Sequence, residues 1–265
     1  MKLGFIGCGN MATAIIGGAV KSGTINGKDI YAYNPTQSKV DALIEKYGIN
    51  SCESATETVD NCDYIVLAVK PNVLASILNE IAGSVSGKNK ILISIAAGKS
   101  TKFIADNLNS EEKIVRIMPN INAVVSESCT AYCTNELVTD SEKENIETLF
   151  SSIGTITEIE ESVFPLFGVI GGCSPAFVYM FIDALARAGV QHGMKKELAL
   201  KFAAQSVLGS AKTVLESNEH PFELIDKVCS PGGTTIEGVI SLQADGFETA
   251  VHNAVNKAVE KDKKL

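Results

Sequence analysis

The sequence predicts an α/β chain in two parts: a doubly wound parallel sheet over residues 1–160 and an all-helical part over 161–265. Three observations point there. Up to residue 160, short apolar runs without alternation take turns with amphipathic stretches, the pattern of a parallel sheet covered on both faces. After Glu160 no strand-like run remains. No Pro/Gly/Ser-rich linker separates the parts, which predicts a rigid junction.

In chain order, Lys2–Ile6 is a buried-strand pattern, Gly7–Asn10 a turn and Met11–Lys21 a helix. Ile30–Tyr33 is a second strand, ended by Asn34-Pro35. Gln37–Tyr47 carries Val40, Leu43, Ile44 and Tyr47 at helical spacing. Tyr64–Val69 is an unbroken apolar strand ended by Lys70-Pro71, and Val73–Ile81 is helical. Ile91–Ile95 is a strand ended by Ala96-Ala97-Gly98, Thr101–Leu108 a helix, and Ile114–Met118 a strand stopped by Pro119-Asn120. Thr130–Cys133 and Thr155–Glu158 are further strands flanking a helix near Ser141–Phe150. In the second part, Pro175–His192 and Lys195–Glu216 are helical patterns broken at Gly193-Met194. Phe247, Ala250, Val251, Ala254, Val255, Ala258 and Val259 form an i, i+3, i+4 stripe on a last helix. The Lys261–Lys264 tail reads as a solvated end rather than a basic patch.

Composition excludes several classes. At 265 residues the chain has the length of about two domains. Hydrophobic residues make up 45% and charged residues 20%, which excludes a disordered, collagen-like or disulfide-scaffold protein. The net charge is −8 and neither part is basic, so nucleic-acid binding has no electrostatic footprint. The seven cysteines show no C-x-x-C pair and the three histidines lie far apart, which predicts no metal site. Free thiols fit a reducing cytoplasm. Phe5-Ile6-Gly7-Cys8 has the look of a lipoprotein cleavage box, but the apolar stretch before it is too short for a signal peptide. Ser162–Ile182 lacks charges and is long enough to span a bilayer. Pro165, Gly168, Gly171, Gly172, Ser174 and Pro175 interrupt it, so it reads as an approach segment and a helix buried on most faces, with no membrane partner.

Residues 174–215 are apolar on most helical faces, and the second part is too small to cover them itself. Burial against a second copy, an obligate homodimer, accounts for this economically.

Four motifs carry chemistry. Gly7-Cys8-Gly9-Asn10-Met11-Ala12 is G-x-G-x-x-A between a strand and a helix. Gly7 permits the turn, Gly9 admits a pyrophosphate, Ala12 allows close packing, and the helix start supplies N–H groups and a positive dipole end. This predicts a Rossmann-type dinucleotide site. Asn34 stands where NAD-selecting chains carry a carboxylate on the ribose; without it, and with Asn34, Thr36, Ser38 and Lys39 as donors, NADPH is favoured over NADH, unless Asn34 is only the turn residue before Pro35. Ala68, Val69, Lys70 and Pro71, then Ala96, Ala97 and Gly98, then Asn120 follow successive strands, where ligands of such sheets bind; Lys70 is otherwise a surface lysine. Finally, Ser230-Pro231-Gly232-Gly233-Thr234-Thr235-Ile236-Glu237-Gly238 brings a glycine-rich loop into a helix at a Thr pair, a carboxylate receptor in its physics or else a turn with a Thr cap.

With these residues in view, the chain resembles the pyrroline-5-carboxylate reductases. The resemblance covers nearly the whole length and rests on Phe5–Ala12, Ala68–Pro71, Met118–Asn120, Ser174–Ala176, Ala204–Gly209 and above all Ser230–Gly238. It implies an N-terminal Rossmann domain, a C-terminal helical dimerisation domain, and larger rings of dimers in some members. It implies NADPH-dependent reduction of 1-pyrroline-5-carboxylate to L-proline, NADH being a second donor, with hydride passing to the ring carbon of the C=N bond. By the resemblance Thr235 bonds the ring nitrogen, the N–H groups of Gly233, Thr234 and Thr235 beside Gly232 hold the carboxylate, and Glu161 approaches cofactor or substrate. The chain departs from the family pattern at Ala55, Ile121-Asn122, Pro165 and Gly171–Ser174.

Two other readings compete. A β-hydroxyacid-dehydrogenase-like oxidoreductase would need a lysine early in the second part, and none occurs between Lys143 and Lys195. A non-catalytic dinucleotide-sensing regulator would have no use for the Thr pair.

Overall fold

The structure, a computed structural model, describes residues 1–262; residues 263–265, with part of the lysine-rich tail, lie outside the described residues. Contacts divide the chain into two compact units, Met1–Gly172 and the described residues from Cys173 onward. Sequence texture changes near residue 160, but the contacts divide later, because residues 161–172 pack on the first unit through Glu161, Phe164 and Gly171.

The first unit is built on one sheet of eight strands: β1 (Leu3–Ile6), β2 (Ile30–Tyr33), β3 (Asn50–Ser51), β4 (Tyr64–Leu67), β5 (Ile91–Ser94), β6 (Lys113–Met118), β7 (Ser128–Thr134) and β8 (Gly154–Glu158). Their order is β3-β2-β1-β4-β5-β6-β7-β8, and only the β6–β7 pair is antiparallel. Helices α1 (Asn10–Lys21), α2 (Gln37–Tyr47), α3 (Ala55–Asn61), α4 (Leu74–Val85), α5 (Thr101–Leu108) and α6 (Asp140–Ser151) join them. The expected strands and helices of this part are present, several longer or shorter at one end, as terminal residues lack the pairing that sequence pattern cannot show.

Alternation across the pleat sorts the core. Leu3 and Phe5 of β1 and Val66 of β4 join Ile15 and Ile16 of α1 on one face. Ile6, Ile65 and Leu67 join Leu74, Leu78 and Ile81 of α4 on the other. The chain builds outward from β1 to β3 and then returns to β4 on the opposite side of β1. That reversal opens a crevice beyond the carboxyl ends of β1 and β4. The sequence reading has no element between Tyr47 and Tyr64, where β3 and α3 lie. α3 starts with a capping arrangement: Ser54 Oγ accepts from the Glu57 N–H, and the Glu57 carboxylate accepts from the Glu53 N–H.

From Glu161 to Gln191 the backbone is helical throughout but changes type. A 3₁₀ turn (Glu161–Val163) leads to α7 (Phe164–Phe167), a π-helical stretch (Gly168–Cys173) and α8 (Ser174–Gln191). The stretch is long and apolar enough to cross a membrane by length and composition. The expectation that α8 is buried on most faces does not hold within one chain, where only Pro175 and Ala186 of this helix are buried.

The second unit continues with α9 (Lys196–Ser217), α10 (Pro221–Val228), α11 (Thr234–Ala244) and α12 (Phe247–Asp262). α8 and α9 meet through Ala186, Ala199 and Ala203, and small residues bury little area. Met180 is 73% exposed and Leu215 81%. An apolar groove lined by Phe177, Met180, Phe181, Leu242, Phe247 and Val251 stands open on the same unit.

Candidate active site

The first cluster of predicted residues gathers at the sheet's crevice. Register sets Ile6 beside Leu67, so the turn after β1 lies next to Ala68. Gly7 has φ +102°, and a Cβ there would stand 2.5 Å from the Ala68 carbonyl oxygen, so only glycine fits. Gly9 is the N-cap of α1, no side chain caps that helix, and its first turn holds no acidic residue. A Cβ on Gly9 would meet nothing within 4 Å. An open space before uncapped helical amides suits a pyrophosphate. Ala12 is buried, while Asn10 is exposed and Met11 partly so.

Asn34 closes this turn from the next strand. Its Oδ1 accepts from the Cys8 N–H at 3.1 Å, and its Nδ2 donates to the Thr36 carbonyl at 3.1 Å. Thr36 is the N-cap of α2, with no side-chain cap and no acidic residue in the first turn. Burial pushes the Cys8 thiol up to about 11, opposed by the charge of Lys39, so Lys39 acts on the same turn. Cys8 is thus an unreactive packing group.

Lys70 and Pro71 are exposed just beyond β4, with Ala68 and Val69 half-buried before them. Beyond β5, Ala96 is buried while Ala97 and Gly98 are exposed. Asn120 is buried, and each of its polar groups is engaged inside the chain. Its N–H donates to Ser128 Oγ, its Nδ2 to the Gly171 carbonyl, its Oδ1 accepts from the Asn122 N–H, and its carbonyl from the Ala123 N–H.

Glu161 belongs to this unit as well. Its Oε1 accepts from the Thr101 N–H at 2.8 Å and from Arg116 Nη1 at 3.1 Å; its Oε2 accepts from Thr101 Oγ1 at 2.7 Å. Burial acts to raise its carboxyl pKa, but the Thr101 and Arg116 hydrogen bonds outweigh burial and hold it below the ordinary value. Arg116, buried on β6, also lies 4.3 Å over the Phe164 ring. Sequence reading missed Arg116 and Thr101. A lone arginine inside the apolar run Ile114–Met118 is the signal that could have marked the first, since such a charge demands a partner.

The second cluster lies on the helical unit. Gly232 has φ +67°, and the Gly233 N–H donates to the Ser230 carbonyl at 3.0 Å, which tightens the loop after α10. Gly233 is the N-cap of α11 and supplies no side-chain cap. Thr234 and Thr235, the first helical residues, are exposed. Neither threonine caps the helix, so its leading amides and two hydroxyls face solvent, an arrangement able to receive a small carboxylate.

Known proteins resemble both parts of the chain. The family model for pyrroline-5-carboxylate reductase dimerisation matches residues 161–265, and that for coenzyme F420-dependent NADP oxidoreductases matches residues 2–98. The pyrroline-5-carboxylate reductase of Escherichia coli is 46% identical over 100% of this chain and 98% of its own length. That of Methanosarcina acetivorans is 38% identical over 100% and 97%, and human pyrroline-5-carboxylate reductase 2 is 37% identical over 100% and 84%. Among solved structures, the Coxiella burnetii enzyme superposes with a TM-score of 0.94 at 30% identity, covering 99% of this chain and 97% of that one. The Plasmodium falciparum enzyme, solved with NADP bound, gives 0.88 at 36% identity, covering 100% and 97%.

Proposed function

Since the chain belongs to the pyrroline-5-carboxylate reductase family, and so reduces 1-pyrroline-5-carboxylate to L-proline as a homodimer, we propose how its own residues divide that work. The nicotinamide dinucleotide, when bound, supplies the hydride. Gly7–Ala12 hold its pyrophosphate, a reading supported by the open space at Gly9 and the uncapped start of α1. Asn34 and Thr36, with Lys39 near, receive a 2′-phosphate, which makes NADPH the preferred donor over NADH. The bound NADP of the Plasmodium relative and the absence of an acidic residue at the start of α2 support this. Ala68–Pro71 and Ala96–Gly98 border the ring end of the site, and Asn120 shapes the turn beyond β6.

The substrate carboxylate is held by the N–H groups of Thr234 and Thr235, since the Gly233 N–H already donates to the Ser230 carbonyl, and the Thr235 hydroxyl bonds the ring nitrogen. As hydride adds to the imine carbon, the C=N electron pair moves onto that nitrogen, which an already protonated imine brings with its proton. The chain's task is then orientation. The observation that carries this reading is the uncapped start of α11 with both threonines exposed. A cytoplasmic setting accords with seven free cysteines. The test is initial rates with 1-pyrroline-5-carboxylate and each dinucleotide. We expect the higher kcat/KM with NADPH; a higher value with NADH overturns the cofactor assignment.

A further inference from the structure

We propose that Glu161 is a positioning residue for the reduction: anchored by Arg116 on β6, its carboxylate docks the first turn of α5 and so sets the course of the turn 95–100 that leads into it. The leading N–H groups of α5 lack intrahelical partners. Ser100, its N-cap, satisfies only Phe103 through its hydroxyl. The N–H of Thr101, the first helical residue, is taken by Glu161, whose second oxygen also takes the Thr101 hydroxyl. An acceptor sixty residues along the chain thereby adds to the cap and brings negative charge to the positive end of the helix.

The carboxylate is itself held from behind. Arg116 is 8% exposed, lies over Phe164, and projects from a strand hydrogen-bonded to β5 and β7. Phe164 packs with Ala131 and Cys133 of β7 and with Met118 and Phe167. A charge so buried has little freedom, and the bond it makes is charge-assisted. The turn 95–100 is consequently pinned at both ends. Sheet pairing and the Ala96 N–H to Ser94 Oγ contact of 3.3 Å hold one end, and Glu161 holds the other. Between them lie Ala96, Ala97 and Gly98. The inference rests on the proposal that these residues border the reacting ring. If they do, a small drift of the turn misaligns hydride and imine carbon, and errors of about 1 Å cost orders of magnitude in rate.

Two variants test this in the full-length dimer. Glu161→Gln keeps the shape and one acceptor but removes the charge; Thr101→Val removes only the hydroxyl. For each we expect kcat lower by about tenfold, with the KM for 1-pyrroline-5-carboxylate and the affinity for adenosine 2′,5′-bisphosphate unchanged. The double variant should be little worse than Glu161→Gln alone, as both remove one contact. A raised substrate KM at constant kcat overturns the proposal, because Glu161 would then touch substrate. A lowered Tm with unchanged kinetics overturns it too, leaving a merely structural pair. Thr101→Val decides alone if Glu161→Gln fails to fold. Wild-type protein that does not bind NADPH would sink the cofactor reading beneath; wild-type binding with variants kinetically equal to it would sink this inference only.

Discussion

The Asn34 side chain accepts a hydrogen bond from the main-chain N–H of Cys8, joining the end of β2 to the glycine-rich turn after β1 across a 3.1 Å contact. The residue at the position that faces a ribose in such folds therefore also holds the glycine-rich turn in shape. Asn34→Asp separates these duties. An aspartate keeps an acceptor for Cys8 but sets a negative charge beside a 2′-phosphate. The ratio of kcat/KM for NADPH to that for NADH should fall at least about tenfold, near 1.4 kcal/mol. An unchanged ratio would show that the 2′-phosphate is read elsewhere.

Gly9→Val tests the pyrophosphate cradle. Apart from its chain neighbours, nothing lies within 4 Å of a Cβ there, so the substitution should leave the fold and Tm nearly untouched. The branched side chain would fill the space the phosphates need. NADPH affinity, read by fluorescence titration, should drop about a hundredfold or more, well beyond 2 kcal/mol. Retained affinity would move the dinucleotide away from this turn.

How far the sequence could be read depended on the range of the contacts involved. Strands such as Ile30–Tyr33 and helices such as Gln37–Tyr47 are legible because burial imposes their period locally. β3 has two polar residues and owes its existence to pairing with β2, which leaves no local trace. α3 is short and mostly polar, yet its Ser54-x-x-Glu57 cap was a readable signal. Of the candidate site, the glycine turn and the Thr pair are local patterns and stand out. The bond from Arg116 to Glu161 links residues 45 apart, and only folding reveals that the two meet.

Acid titration isolates Glu161. Its carboxyl sits below the ordinary value of 4.5 in the folded chain, so ionised Glu161 stabilises the fold. That contribution is complete above about pH 4.5 and is lost as pH falls through the lower folded value. Glu161→Gln cannot titrate. At neutral pH the variant should melt roughly 3–8 °C below wild type, since Arg116 loses its counter-charge. The gap should shrink once the pH drops below about 4.5. Glu142, which Lys113 and Thr139 hold low against the opposing effect of burial, titrates in both proteins and cancels. A gap of constant width down to the lowest pH would contradict this account.

The homodimer should be inseparable from the fold of the helical unit. Met180 and Leu215 are largely exposed in one chain, and the groove beside Phe181 and Phe247 is open, so the second copy provides the missing burial. Tenfold dilution should lower Tm by about 2–4 °C, with dimer and helicity lost together. A folded monomer in sedimentation at low concentration, with Tm independent of concentration, would refute the burial argument.

Thr235 should serve the reaction rather than the fold. A threonine at a helix start can act as a cap worth about 0.5–2 kcal/mol, and its removal would then lower Tm. Here the N-cap is Gly233, no side chain caps α11, and Thr235 is exposed as the second helical residue. Thr235→Ala should therefore leave Tm within about 1 °C of wild type. If the hydroxyl orients the ring nitrogen, kcat/KM for 1-pyrroline-5-carboxylate should fall at least about tenfold, or 1.4 kcal/mol of lost transition-state binding. Thr234→Ala is the internal control, because the role assigned to Thr234 uses only its main-chain N–H, which alanine keeps. Its kcat/KM should stay within about threefold of wild type. Equal and small effects from both substitutions would reduce Ser230–Gly238 to a structural turn, whereas a large loss confined to Thr235 would tie the hydroxyl, and not the loop alone, to hydride transfer.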